Sequence, residues 1–200
     1  PYPDSQDKGN LIVSAEILPL SSRRVELGRP GFDSLELARV IDRGIRESKL
    51  IKFEELCIKE GEKVWNVYID IYSINDDGNV LDAAGIGAIV ALRNSRMPIY
   101  DEEKERAQSG EWTNKKIPLN DVLPIAITVH KIGNSLLVDP TMDEEDISEA
   151  RLTVGSSNGI ISSMQKGEAE SLSVEEISEI LDIVEKVWKT LSKEIEKQIK

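Results

Sequence analysis

Residues 62–95 read EKVWNVYIDIYSINDDGNVLDAAGIGAIVALRNS, and this stretch sets the fold class. Its first part alternates. Val64, Asn66, Tyr68 and Asp70 fall on one face, and Trp65, Val67, Ile69 and Ile71 on the other, as in a long half-buried strand over 62–75. NDDGN is a turn. Residues 80–95 then predict a buried helix of small residues, with Ala83, Ala84, Gly85, Gly87 and Ala88 allowing close backbone approach. Glycine costs a helix about 1 kcal/mol per residue, so tight packing is expected to compensate.

The same β-then-α order precedes this unit. LIVSAEILPL (11–20) predicts a strand ended by Pro19, and SSRRVELGRPGF is a loop. Asp33 or Ser34 is the expected cap of a helix beginning at Leu35, with Leu37, Val40, Ile41 and Ile45 on its apolar stripe. Downstream, residues 97–121 are polar and read as an exposed excursion. Two hairpins follow, one across Gly133-Asn134 and one turning at Ser157-Asn158-Gly159. Ser173 and Glu176 form a capping box for a last helix, whose apolar residues Ile177, Ile180, Leu181, Val184, Trp188, Leu191 and Ile195 keep helical spacing. The expectation is one α/β unit with mixed sheets and packed helices, with neither repeats nor low-complexity linkers.

Composition narrows function. The 200 residues are 40% hydrophobic and 31% charged, which fits a soluble globular protein. A net charge of −12 counts against a free-standing nucleic-acid binder, though not against a local basic patch, because phosphate contacts are short-range in salt. The single cysteine, Cys57, reads as a small buried hydrophobe and fits a reducing compartment. The single histidine, His130, reads as a structural strand residue and leaves little for a Ser-His-Asp or two-histidine metal site. No run approaches the ~20 apolar residues that span a bilayer, and the polar opening PYPDSQDKGN does not read as a secretory signal. A cytoplasmic location with no membrane partner is expected.

Two clusters carry possible chemistry. Arg39, Arg43 and Arg46 recur at i, i+4 and i+7 beside the apolar stripe. They form either a solvated face paired with Asp42 and Glu47 or a phosphate-contacting stripe, since guanidinium forks suit phosphate oxygens. Arg23 and Arg24 add a second, loop-borne pair. The run Asp143–Asp146 is either an exposed acidic loop or a hard-cation site, the latter being the only support for a metal-dependent hydrolase. The glycines at 78 and at 85–87 lack the neighbouring Ser, Arg or Lys that a phosphate cradle needs.

Five stretches, PYPDSQDKGNLIVSAEILPL, LELARVIDRGIRESK, VWNVYIDIYSINDDGNVLDAAGIGAIVAL, KIPLNDVLPIAITV and VDPTMDEED, resemble the RNase PH-like family, and within it the non-catalytic ring subunits of the archaeal exosome. They span nearly the whole chain in order. The resemblance implies an RNase PH-like (ribosomal protein S5 domain 2-like) fold over residues 1–200. Family members normally carry a further N-terminal segment, so the chain reads as beginning partway through its first sheet.

Laid on the pattern of catalytic relatives, the first aspartate is Asp139, the presumed acid or metal-binding position is Glu145, and the last acidic segment becomes Ser148-Glu149-Ala150-Arg151. The second carboxylate is one methylene longer and the last is replaced by a cation. Asp146 is one residue out and, on a strand, would face away. The glycine-serine-arginine phosphate segment becomes Gly78-Asn79-Val80, and a pair of arginines before the first helix becomes Phe32 and Asp33. Glu145, Arg151 and Val80 therefore read as degenerate catalytic positions, with no catalytic residue, metal or cofactor expected. The resemblance implies a hexameric ring with a catalytic RNase PH-like subunit, RNA-binding cap subunits above it, and single-stranded RNA held by Arg39, Arg43 and Arg46, with Arg23 and Arg24 as a secondary pair. The rival readings are an active phosphate-dependent 3′–5′ exoribonuclease using Glu145 or Asp146, and a purely structural ring subunit without RNA contact.

Overall fold

The computed structural model describes residues 1–26 and 28–199. Among the described residues, two of the four sheets and three of the helices build two adjoining cores. β1 (Asn10–Ile17) pairs in parallel with β4 (Asn66–Ser73), placing Leu11 beside Val67, Val13 beside Ile69 and Ala15 beside Ile71. This inward row forms the floor of the first core. The outward row carries polar pairs between Ile12, Tyr68 and Tyr72: Asn10 Nδ2 donates to Asn66 Oδ1 at 2.7 Å and Ser14 Oγ to Asp70 Oδ1 at 2.6 Å. The predicted alternation of 62–75 therefore holds. The strand is broken at Trp65, however, whose N–H donates to Leu56 O, while β3 (Lys63–Val64) pairs with β2 (Cys57–Lys59) instead. Cys57 is half-buried there rather than fully buried.

α1 (Phe32–Glu47) packs on β1 through Leu37, Ile41 and Ile45. It starts at Phe32 with Gly31 as N-cap, three residues before the expected Leu35. Neither Asp33 nor Ser34 caps it. Ser34 is buried, and its Oγ accepts from the Ile17 N–H at 3.3 Å, so the hydroxyl closes the end of β1 rather than its own helix.

α2 (Val80–Asn94) is the expected buried helix. Ala88, Ile89 and Leu92 enter the first core, and Ile86 and Val90 pack on the second. Close backbone approach is not what its glycines provide, because a Cβ at Gly85 or Gly87 would meet nothing within 4 Å. The expected excursion is an exposed hairpin, β5 (Arg96–Asp101) with β6 (Arg106–Lys116). Its turn is held by Asp101 Oδ1, which accepts from the N–H groups of Glu103 and Lys104.

The second sheet is antiparallel, in the order β10-β9-β7-β8. It comprises β7 (Ile125–Ile132), β8 (Ser135–Val138), β9 (Ala150–Ser157) and β10 (Ile160–Gly167). Both predicted hairpins form, β7–β8 and β9–β10, and the second turns on Asn158 and Gly159, both at positive φ. α4 (Val174–Gln198) covers this sheet with Ile180, Val184 and Ile195. Its capping box is present: Ser173 Oγ accepts from the Glu176 N–H at 3.1 Å, and Glu176 Oε2 accepts from the Ser173 N–H at 2.7 Å. Among the described residues no helix is long and apolar enough to cross a membrane.

Candidate functional site

The acidic run that follows β8 is not a strand. Met142–Asp146 forms one short helical turn, α3. It docks against the turn before α2 at very short range, because Gly78, at φ +101, leaves no room for a Cβ beside the backbone of Pro140–Met142. The N–H of Met142 donates to Asp77 O there. This docking gives each of the four acids a partner, and two of them share one. Asp143 meets Arg23 at the exposed surface, at 3.2 Å. Glu144 accepts from the Thr141 N–H and Oγ. Glu145 Oε1 accepts from the Asn79 N–H at 2.8 Å, and its Oε2 pairs with Arg24 at 3.2 Å. Asp146 lies 2.7 Å from the Arg24 guanidinium. The expectation that Asp146 faces away is thus wrong, since a helical turn lets residues 145 and 146 reach one cation. Among the described residues no group of three or more His, Cys, Asp or Glu side chains is placed to hold a metal ion.

Glu145 and Asp146 line a cleft of about 400 Å³ between α1, the start of α2, α3 and the ends of β9 and β10. Every degenerate position of the sequence reading reaches it or its wall. Asp139, at φ +58, accepts from Asn79 Nδ2 at 2.9 Å. Asn79, itself in the left-handed region, caps α2 with its backbone, and Val80 lines the cleft with an apolar side chain. Asp33 lines the cleft, while Phe32 stays exposed on its rim side of α1. Arg151 crosses from β9 to Glu36 of α1 at 2.5 Å and to Glu168 at 3.3 Å, and its Nη1 is buried without a partner. The cleft thus holds two guanidiniums, Arg24 and Arg151, against six carboxylates: Asp33, Glu36, Asp76, Glu145, Asp146 and Glu168.

A polar network without a sequence signature runs inward from Thr128 in the cleft wall. Asp82, in the first turn of α2, is buried and accepts from the Thr128 N–H at 2.9 Å and the Thr128 hydroxyl at 2.7 Å. Thr128 Oγ1 lies 2.9 Å from Thr153 Oγ1. Burial pushes the Asp82 carboxyl up to about 6, against the pull of the Thr128 hydrogen bonds. His130 is the structural strand residue expected: it is buried, its Nδ1 is 3.0 Å from Ser148 Oγ, and burial lowers its pKa.

The arginine stripe divides in two. Arg39 and Arg43 are exposed, and among the described residues neither makes an ion pair. Arg46 is engaged with both Asp42 oxygens at 2.8 and 3.1 Å and with Leu11 O at 3.2 Å, and stacks 5.7 Å from the centre of the Phe53 ring. Arg23 and Arg24 are committed to α3 as described. Sequence reading did not single out Glu36 or Glu168. Glu36 sits on the arginine face of α1, but its partner is 115 residues away and no local spacing announces it.

Comparison with known proteins agrees with this architecture. Residues 1–98 match the model for domain 1 of the 3′ exoribonuclease family, and residues 123–186 match that for domain 2. The chain is similar to the exosome complex component Rrp42 of Methanocella arvoryzae, 40% identical over 197 residues that cover 98% of this chain and 73% of that protein. Among solved structures it is similar to a chain of the Archaeoglobus fulgidus exosome with RNA bound to the active site, with a TM-score of 0.87 and 38% identity over 97% of this chain and 74% of that one. An archaeal exosome core gives a TM-score of 0.82 and 36% identity over 98% of this chain and 72% of that one. With both halves of the pattern matched in order across a mixed α/β fold of the RNase PH type, the chain belongs to the 3′ exoribonuclease family.

Proposed function

We propose that this chain is a non-catalytic ring subunit of an archaeal exosome, acting in the cytoplasm within a hexamer of three heterodimers. Its neighbour is a catalytic RNase PH-like subunit that shortens RNA from the 3′ end by phosphorolysis, and RNA-binding cap subunits sit above the ring. Its similarity to an Rrp42 exosome component and to archaeal exosome structures supports the assembly. Both family-matched segments act as one domain over residues 1–200.

The acidic balance of the cleft carries the non-catalytic reading. Phosphorolysis requires inorganic phosphate to approach a phosphodiester, so two anions must meet in one site. Here six carboxylates face two guanidiniums, and both guanidiniums are already paired. Each uncompensated carboxylate about 6 Å away raises an incoming dianion by about 1 kcal/mol even at the dielectric of water. Glu145 is also held in place by the Asn79 N–H and by Arg24, which occupy both of its oxygens. RNA contact falls to Arg39 and Arg43, the two stripe arginines that form no ion pair among the described residues, while Arg46, Arg23 and Arg24 serve the fold. Phosphate contacts of this kind position a strand without reading its sequence, as a processive exonuclease needs.

The test is RNA shortening by the reconstituted ring in phosphate, with this chain carrying either Glu145→Ala or Arg39→Ala/Arg43→Ala. Slowing by the arginine pair alone is expected. Loss of activity with Glu145→Ala and no effect of the arginine pair would make this chain the enzyme and overturn the reading.

A further inference from the structure

The face of α1 that presents the arginines also carries acid. Glu36, Arg39 and Arg43 stand at i, i+3 and i+7, so one helical stripe holds all three. A glutamate one turn ahead of an arginine ordinarily pairs with it. Glu36 does not. Its Oε2 meets Arg151 Nη2 at 2.5 Å, with 12% and 13% of the two side chains exposed. The strand end is shaped around that guanidinium. Gly167 stands opposite Arg151 in the β9–β10 ladder, and a Cβ there would lie 2.6 Å from Arg151 Cζ. The next residue, Glu168, adopts φ +65 and brings its Oε1 to 3.3 Å from Arg151 Nε. Asp42, a second acid on the helix, is occupied by Arg46 in the same manner.

We propose that Arg151 is a positioning residue that holds Glu36 away from the arginine stripe, leaving Arg39 and Arg43 free for RNA phosphates. The inference rests on the RNA-contacting role proposed above. Without Arg151, the Glu36 carboxylate is an intramolecular competitor for Arg39, present at an effective concentration on the order of millimolar or more. The cation at the position of a lost catalytic carboxylate then has a task of its own: it keeps a neighbouring acid out of the RNA path.

The experiment uses the ring assembled with its catalytic subunit and a labelled single-stranded oligoadenylate, with affinity followed by fluorescence anisotropy across a salt series. Arg151→Met is expected to weaken binding about fivefold at ~0.1 M salt and to lower the log–log salt slope by ~0.7, the signature of one lost phosphate contact on a single strand. Adding Glu36→Gln to Arg151→Met is expected to restore affinity to within about twofold of the unmodified ring, because a neutral amide does not compete for Arg39. In the Arg39→Ala/Arg43→Ala background, Arg151→Met should have no further effect. Gly167→Ala, which displaces the guanidinium without removing it, should reproduce the loss and the rescue if Arg151→Met does not assemble. If the arginine pair matters but Arg151→Met and Gly167→Ala are silent, or their losses are not rescued by Glu36→Gln, Arg151 is merely structural and the proposal is overturned. If Arg39→Ala/Arg43→Ala itself leaves affinity unchanged, the RNA reading fails, and this inference with it.

Discussion

Asp82→Asn should make the chain more stable at neutral pH, and the gain should shrink on acidification. Asp82 lies beneath the first turn of α2, with its carboxyl pushed from 3.8 to about 6 by burial. A group whose folded pKa is raised binds its proton more tightly in the folded state, so its contribution to stability is fullest below about 3.8 and is lost as pH rises through about 6. Above that, the buried ionised carboxylate costs about 3 kcal/mol relative to the neutral acid. Between pH 8 and pH 5 the protonation should return close to half of that cost, while the sample stays above its isoelectric region near pH 4.7. Asparagine is isosteric and can satisfy the network. Its Oδ1 accepts from the Thr128 N–H, its Nδ2 donates to Thr128 Oγ1, and the Thr128 proton passes to Thr153 Oγ1, 2.9 Å away. Urea unfolding of both proteins from pH 5 to pH 8 reads the difference, as a change in midpoint at constant slope. A difference in stability that does not vary with pH, or a variant uniformly weaker than the parent, would refute the account of Asp82 as a charge held at a cost.

Other substitutions test the packing. Gly78→Ala should destabilise by more than about 2 kcal/mol in thermal unfolding, since it combines a positive-φ penalty with a clash of 2.3 Å against Pro140 O. Gly87→Ala should stabilise the isolated chain by about 1 kcal/mol, because the new methyl meets nothing and the helix interior loses a glycine; a loss instead would mean the site is not open. Trp188→Phe removes the indole N–H that donates to Leu123 O at 3.2 Å and should cost about 1 kcal/mol in the same urea assay.

What the sequence disclosed follows from what each residue touches. β4 and α4 were legible because each has one buried face, and burial imposes a period of two or of 3.6 on the chain. The β9–β10 hairpin was legible because an Asn-Gly pair takes up the positive φ its turn demands. The β5–β6 hairpin was not, since an exposed ribbon places no hydrophobic alternation on either strand. The start of α1 was misplaced because Ser34 has a capping side chain that is used on β1 instead. At the cleft, alignment of a motif located Asp139, Glu145, Val80 and Arg151. It could not show that Arg24 gathers both Glu145 and Asp146, because Arg24 is more than a hundred residues from them in the chain.

α2 also bears on where the molecule can be divided. It falls within the first family segment, yet Ile86 and Val90 close the second core while Ala88, Ile89 and Leu92 close the first. A party wall of this kind makes each half a poor tenant alone: the first would expose that apolar row to water, and the second would lose its backing. A chain nicked in the exposed turn at 102–105 should therefore yield fragments that remain associated and complement one another. The break falls in the turn between β5 and β6, so the pairing of those two strands joins the fragments along with the shared helix.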